Sequence, residues 1–330
     1  MAEFLTFDTD LTAVANAIRV KGGTSAQLIY PSGFVSAIQA IQTGITPKLV
    51  VTTTPGAAIT ATPAEGFKVV KGTAGADGMC TLELPKAGTW HVTAMANSVS
   101  NSQNIVIGTQ NMLLPLYHDT FANNTWEEII TVCRTGIAPD SWAVGDSKTM
   151  NIGGTAYQVD IIGKNHDEYA DGSGTAPLTF QLHDCYSEAK QMYSTNLSGL
   201  GWKNTDMRLT YLPAILALMP AEVKNGIHAV NKKTSEGGNS TTIETVSDTL
   251  FLLSEVEIFG TASSSVAGEG SQYDYYKAGN PKIKKREGVD EFWWERSSAS
   301  GGMFCRVRAN GQAGASNASS SLGVSFAFCF

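Results

Sequence analysis

Apolar residues change their spacing along this chain, and each change marks a different kind of element. Leu11, Val14, Ala15 and Ile18 stand at i, i+3, i+4 and i+7, and Lys21-Gly22-Gly23 ends the run. Pro31 opens a second stretch with Phe34, Ile38 and Ile41 on one face. Two short amphipathic helices do not bury their apolar faces alone, so residues 1–45 are expected to dock elsewhere as a helical attachment segment.

From residue 46 the period shortens to two. Lys48 to Thr53, Ala57 to Thr62, Phe67 to Val70, Cys80 to Leu84, Thr89 to Ala94 and Gln103 to Ile107 read as six short strands. Pro55-Gly56, Gly72, Gly75, Asp77-Gly78 and Gly88 separate them. Residues 46–109 are therefore expected to form a small β-sandwich spacer, with His91 a surface strand residue.

Residues 110–330 mix both periods and read as one large α+β unit. Thr125 with Glu128 three residues on is a capping box that starts a helix at Trp126. Strands are expected at Lys148–Ile152, Tyr157–Lys164 and Leu178–Leu182. A helix follows from near Thr210 through Leu218 with Pro213 in its first turn, then a short helix at Ala221–His228 and a strand at Ala229–Thr234. Phe251 to Phe259 alternates apolar with polar, and Phe326, Phe328 and Phe330 alternate as an inward-facing terminal strand.

Composition narrows the function classes. Of 330 residues 42% are hydrophobic, enough for two or three cored domains, while only 16% are charged and the net charge is −7. No basic stripe suits a nucleic acid. No apolar run approaches membrane-spanning length, and MAEFLTFDTD is not a secretory signal. The five cysteines lack metal-ligand spacing and read as buried, reduced thiols, with Cys305 and Cys329 the one candidate bridge.

The acidic loop from His166 to Gly174 carries oxygens suited to calcium but not the spacing of an EF-hand, so a solvated turn is the expectation and no cofactor is assigned. The basic run Lys282, Lys284, Lys285 and Arg286 is balanced by Glu287, Asp290 and Glu291 and reads as a solvated loop. No nucleophile–base motif accompanies any cysteine or serine, and the chain is expected not to be an enzyme.

The last thirty-eight residues differ from everything before them. Trp293-Trp294 and Phe326 to Phe330 bracket a run of Ser, Ala, Gly, Asn and Arg, too polar for a core. In Phe304-Cys305-Arg306-Val307-Arg308 strand periodicity puts Arg306 and Arg308 on one face, where paired guanidiniums suit carboxylates, phosphates or sugar hydroxyls. Trp294, Tyr273 and Tyr275 fit either supporting ligand contacts or packing beneath such a face, with core packing the stronger expectation for the tryptophans.

Three stretches carry resemblances. LTAVANAIRVKGGTSAQLIYPSGFVSAIQAIQTG resembles a leader of phage tail and baseplate-associated proteins. The stretch from Thr52 to Ala94 resembles immunoglobulin-like spacers of phage structural proteins. WAVGDSK, YQVDIIGKNHD, NKKTS, LFLLSEVEIFG, EGSQYDYY, WWERS and GVSFAFCF resemble a prophage and gut-bacterial domain family similar to C-type-lectin-like folds of the formylglycine-generating-enzyme group. Where that family's pattern carries Leu and Pro in WWLRSP, this chain has Glu295 and Ser298.

The resemblance implies short N-terminal helices, an immunoglobulin-like β-sandwich and an α+β C-type-lectin-like display domain. It also implies a diversity-generating retroelement that rewrites adenines in the C-terminal repeat. Asn codons so randomised reach Ser, Ala, Gly and Arg but not Glu, Gln, Met, Lys or Trp. Ser298, Ala299, Ser300, Gly301, Gly302, Arg306, Arg308, Asn310, Ala315, Ser316, Ser319 and Ser320 fit that set, whereas Glu295, Met303 and Gln312 do not.

The implied protein is a phage-tail receptor-binding protein of the virion, assembled in the bacterial cytoplasm. It is oligomeric, with a trimer favoured. Its partners would be a bacterial surface protein or glycan and other tail proteins, without membrane insertion. A static adhesion protein, or a carbohydrate-binding lectin, is the alternative.

Overall fold

The computed structural model describes residues 8–22, 27, 47–64, 68–85, 87–107, 110–197, 199–238 and 240–330. Strand accounts for 37% of the described residues and helix for 18%, so the protein is β-rich, and it divides into two compact units, 1–117 and 118–330. The expected helix from Pro31 through Phe34, Ile38 and Ile41 lies outside the described residues.

In the first unit, α1 spans Asp8–Gly22, with Arg19 and Lys21 in its last turn where they complement the helix dipole. Ala15 and Ile18 are buried but Val14 is exposed, so its apolar stripe is narrower than the spacing implies.

Seven strands follow: β1 Lys48–Thr52, β2 Ala58–Pro63, β3 Val70–Thr73, β4 Met79–Glu83, β5 Gly88–Ala96, β6 Val99–Ile107 and β7 Gln110–Leu113. They form two sheets, ordered β4-β1-β7 and β3-β2-β5-β6. Leu49, Val51, Ile59, Ala61, Leu82, Trp90 and Val92 fill the core between them, the inward half of each alternation. His91 faces outward and its ring nitrogen lies 2.8 Å from Asn104 Oδ1.

Gly72 was expected to break a strand; it sits inside β3 instead, opposite Ile59. A Cβ there would lie 2.5 Å from Cys80 Sγ on β4, so the glycine serves the close approach of the two sheets, not a turn.

The second unit begins with α2, Trp126–Cys133, whose capping box is formed as expected: Glu128 N donates to Thr125 Oγ1 at 3.1 Å and Thr125 N to Glu128 Oε2 at 2.7 Å. Strands β8 Ser147–Ile152, β9 Thr155–Lys164 and β10 Leu178–Leu182 form an antiparallel sheet that β18, Ala327–Cys329, completes beside β10. Phe180, Phe328 and Phe330 stack with Phe121 and Trp126 on this sheet. The terminal aromatics are thus core, and Cys329 is buried as well.

A π-helical turn, Met207–Tyr211, leads into α3, Leu212–Leu218, with Pro213 in its first turn; α4 is Ala221–Gly226. Strands β11 Val230–Ser235 and β12 Ile243–Asp248 pair as a hairpin.

The alternation at 251–259 does not produce a strand beyond Phe251. Ser254 and Glu257 form a capping box and start α5, Glu255–Phe259, which Gly260 ends in the left-handed region. The helix signal was there in Ser254-Glu255-Val256-Glu257; local capping overrides a period-two pattern this short. Helix α6, Asp274–Lys277, follows. Lys284–Arg286 and Val289–Glu291 are β13 and β14, a hairpin. Strands β15 Trp293–Ser298, β16 Met303–Val307 and β17 Ala313–Asn317 form a three-stranded antiparallel sheet.

Candidate functional site: a face on the C-terminal sheet

Every residue of β15 is buried, although four of the six are polar or charged. Such burial is tolerated only where partners replace water. Trp293 Nε1 donates to Lys282 O at 2.9 Å and Trp294 Nε1 to Lys190 O at 2.8 Å.

Arg296 donates to Leu252 O at 3.0 Å, to Lys233 O at 2.9 Å, to Glu269 O at 2.8 Å, and from both Nη atoms to Glu257. Lys232 lies 2.7 Å from both Glu257 and Asp167 and 3.0 Å from Tyr273 OH, which engages all three ammonium hydrogens. Two acids and two bases alternate, so the chain of four carries no net charge. Burial alone would raise the Asp167 carboxyl, but Lys232 and the Thr179 hydroxyl outweigh it and hold it at about 2.

Glu168 and Asp171 to Gly174 are exposed, as a solvated turn at 166–174 requires, but Asp167 points inward and braces β11. It also borders a polar cleft of about 470 Å³ that includes His166, Asn231 and Lys233, but the cleft's buried ammonium is fully engaged. Lys284 corrects the solvated-loop expectation in the same way. It is buried, donates to Leu182 O at 2.6 Å and His183 O at 2.8 Å, and burial lowers it to about 8.

Glu255 gathers the loop at 263–265. It accepts from the backbone N–H of Ser263, Ser264 and Ser265 and from the hydroxyls of Ser263 and Ser265. Glu295 and Ser298 are the exceptions in β15: both are buried, and neither Glu295 carboxyl oxygen nor Ser298 Oγ has a hydrogen-bond partner among the described residues. Burial first, then the neighbouring Glu255 and Glu269, push the Glu295 carboxyl well above the usual range.

On this foundation β16 and β17 present the candidate face. The register pairs Phe304 with Ser316 and Arg306 with Gly314, and Trp294 with Arg306 on the other side. Directly paired residues share a side of the sheet, so Trp294, Phe304, Arg306, Gly314 and Ser316 lie on one side, with Arg308 beyond; Trp294, Phe304 and Gly314 are buried there, and of these residues Arg306, Ser316 and Arg308 reach solvent. Arg306 Nε donates to Ser316 Oγ at 2.5 Å and Ala315 O at 3.3 Å, and its guanidinium carbon sits 4.2 Å from the Phe292 ring centroid. Arg308 Nε donates to Ala313 O at 3.1 Å.

The structure sorts the expected contact residues by depth. Ser300, Arg308 and Asn310 are exposed; Gly302, Arg306, Ser316, Ser319 and Ser320 are half-buried. Ser298 is buried at 1% exposure, as is every residue of β15, because other elements pack on both sides of that strand. Trp294, Tyr273 and Tyr275 are buried too, so the choice left open for them falls to packing, Trp294 within the C-terminal sheet, Tyr273 against His166 and Tyr275 against Tyr276. Tyr273 OH donates to Asp167 Oδ2 at 2.9 Å and belongs to the ion network.

Sequence reasoning missed two neighbours. Phe292, 38% exposed, carries Arg306, and its place just before the paired tryptophans was the available signal. Asn196 comes from a distant loop to accept from the Ser319 hydroxyl, and no local pattern announces it.

All five cysteines are free and buried, and Cys305 and Cys329 are not bridged. Among the described residues no cluster of three or more His, Cys, Asp or Glu has the placement to hold a metal ion. No described helix is long and apolar enough to cross a membrane. Ser147 Oγ donates to Asp160 Oδ1 at 2.5 Å while His183 Nδ1 lies 2.8 Å from Asp160 Oδ2. The carboxylate stands between hydroxyl and imidazole, so this trio is not a nucleophile–base pair.

The chain is thus a β-rich, two-unit protein whose last sheet combines a buried, ion-paired base with a polar face. Residues 179–330, just under half of the chain and including that sheet, match a family described as a domain of unknown function, DUF6273. No curated protein and no solved structure matches the chain.

Proposed function

We propose that this chain is a receptor-binding protein of a phage or prophage tail. Its second unit is a display domain on a C-type-lectin-like scaffold, and the face of β16–β17 with its flanking loops contacts a bacterial surface protein or glycan. The carrying observation is the depth gradient within one short segment: β15 is wholly buried, while Ser300, Arg308 and Asn310 are exposed on turns and strand ends around it. A binding surface that tolerates exchange needs such a division, because a stiff base holds the backbone whatever side chains stand above it.

Recognition is non-covalent, without a catalytic step or cofactor. Residues 1–45 attach the protein to other tail components and the sandwich spaces it. A homotrimer raises avidity, since weak sites become useful when several engage together. The lectin alternative that relied on Trp294, Tyr273 and Tyr275 loses its contact residues, because all three are buried.

The test is binding of the labelled full chain to a panel of bacterial cells. Ser300→Trp and Asn310→Trp are expected to abolish binding to any cell the parent binds, with melting unchanged; undiminished binding by both contradicts the proposal. A near-identical, adenine-rich template repeat in the neighbouring nucleotide sequence separates a diversified copy from a static adhesion protein.

A further inference from the structure

We infer that the display face holds an oxyanion site formed by Arg306 and Arg308, which takes a carboxylate or phosphate group of the ligand; this rests on the display reading above. Two guanidiniums on neighbouring same-face positions repel one another, and solvated arginines would spread apart. Here both are held. Arg306 is stacked on Phe292 at 4.2 Å and tied through Nε to Ser316 and Ala315. Arg308 is tied through Nε to Ala313 O at 3.1 Å.

Gly314 completes the arrangement. It is the register partner of Arg306, and a Cβ on it would come within 2.8 Å of Arg308 Nε. Its missing side chain is what lets Arg308 lie across the strand beside Arg306.

No acid answers this charge. Neither guanidinium forms an ion pair among the described residues, in contrast to Arg208, Arg286 and Arg296, each of which has a carboxylate. Glu295 lies within Coulombic reach of Arg306 but forms no ion pair with it, and burial raises its carboxyl well above the usual range. Both Nε atoms are occupied by protein oxygens and Arg306 Nη1 is buried away from solvent, so the outward Nη groups, chiefly those of the exposed Arg308, are what the face offers. Fixed, adjacent and uncompensated donors in a chain of net charge −7 match a planar or tetrahedral oxyanion, which accepts several N–H groups at once. The exposed Phe292 edge adds an apolar contact beside it.

The full chain would be passed over surfaces of polyphosphate, polyglutamate and neutral dextran. Long-range repulsion from an acidic protein works against binding to either polyanion, so retention reports a local site. Retention on at least one polyanion and not on dextran is expected, and which one separates phosphate from carboxylate. Arg306→Gln and Arg308→Gln should each weaken it about tenfold or more. Lys71→Gln, the same charge change in the first unit, should leave it unchanged. Gly314→Ala displaces only a flexible side chain and should weaken retention with melting unaltered.

No retention on either polyanion, or equal weakening by Lys71→Gln, overturns the inference. In the cell-panel assay, Arg306→Gln and Arg308→Gln retaining binding that Ser300→Trp and Asn310→Trp abolish defeats the oxyanion site alone. All four retaining it defeats the display reading itself.

Discussion

Arg296 donates from both Nη1 and Nη2 to the carboxylate of Glu257, and neither side chain reaches solvent. The pair ties the middle of β15 to α5, and Lys232 extends it to Asp167 at the start of the acidic loop. Breaking a buried pair by removing one partner leaves an uncompensated interior charge, which costs about 3–5 kcal/mol. Arg296→Met is therefore expected to lower unfolding free energy by about that amount. Urea denaturation checks it; a loss below about 1 kcal/mol would show that the network does not brace the sheet.

The depth gradient predicts opposite responses from neighbouring residues. Ser300→Ala, Arg308→Ala and Asn310→Ala are exposed changes expected to stay within about 0.5 kcal/mol of the parent. Trp294→Ala opens a cavity beneath the face and should cost about 3–5 kcal/mol. The same denaturation series reads all four.

Glu295 gives a pH signature. Its carboxyl is raised above the ordinary 4.5 in the folded chain, so the unfolded state releases the proton first as pH rises. The stability it contributes is present below 4.5 and is lost progressively above it. Glu295→Leu removes both the titration and the unpartnered oxygens, and its melting advantage over the parent should grow from pH 4.5 towards pH 8. Asp167 behaves oppositely: its contribution is present above 3.8 and lost as pH falls towards 2. Melting curves of both proteins across pH decide this; a constant difference would mean that Glu295 is ionised and paired.

All five thiols are buried and unbridged. Alkylation of the native chain should be slow, and five cysteines should react in denaturant without a reductant. Recovery of only three would reveal a bridge such as Cys305–Cys329.

Much of the scaffold was legible because its signals are local. The Thr125–Glu128 capping box, the alternation in Trp90-His91-Val92 and the strand Leu178–Leu182 each depend on residues close in sequence. Gly72 misled because a glycine needed for sheet approach looks the same as one that makes a turn. Arg306 and Arg308 fell on one face because strand period is fixed, but the burial of Ser298 comes from elements distant in sequence that pack against β15, which no local pattern displays. Asp167 and Lys284 read as solvent-facing since their partners, Lys232 and the carbonyls of Leu182 and His183, lie far along the chain.

The central claim is that the face accepts exchange while the sheet beneath it does not. Two libraries of the full chain measure this directly. One randomises positions 300, 306, 308, 310, 316, 319 and 320, leaving Gly302, where a Cβ would lie 2.6 Å from the Asn196 carbonyl oxygen; the other randomises 293, 294, 296, 298 and 304. Protease resistance of displayed clones counts the folded fraction. Most face-library clones are expected to stay folded and most frame-library clones to be lost. Equal losses in the two libraries would contradict the claim.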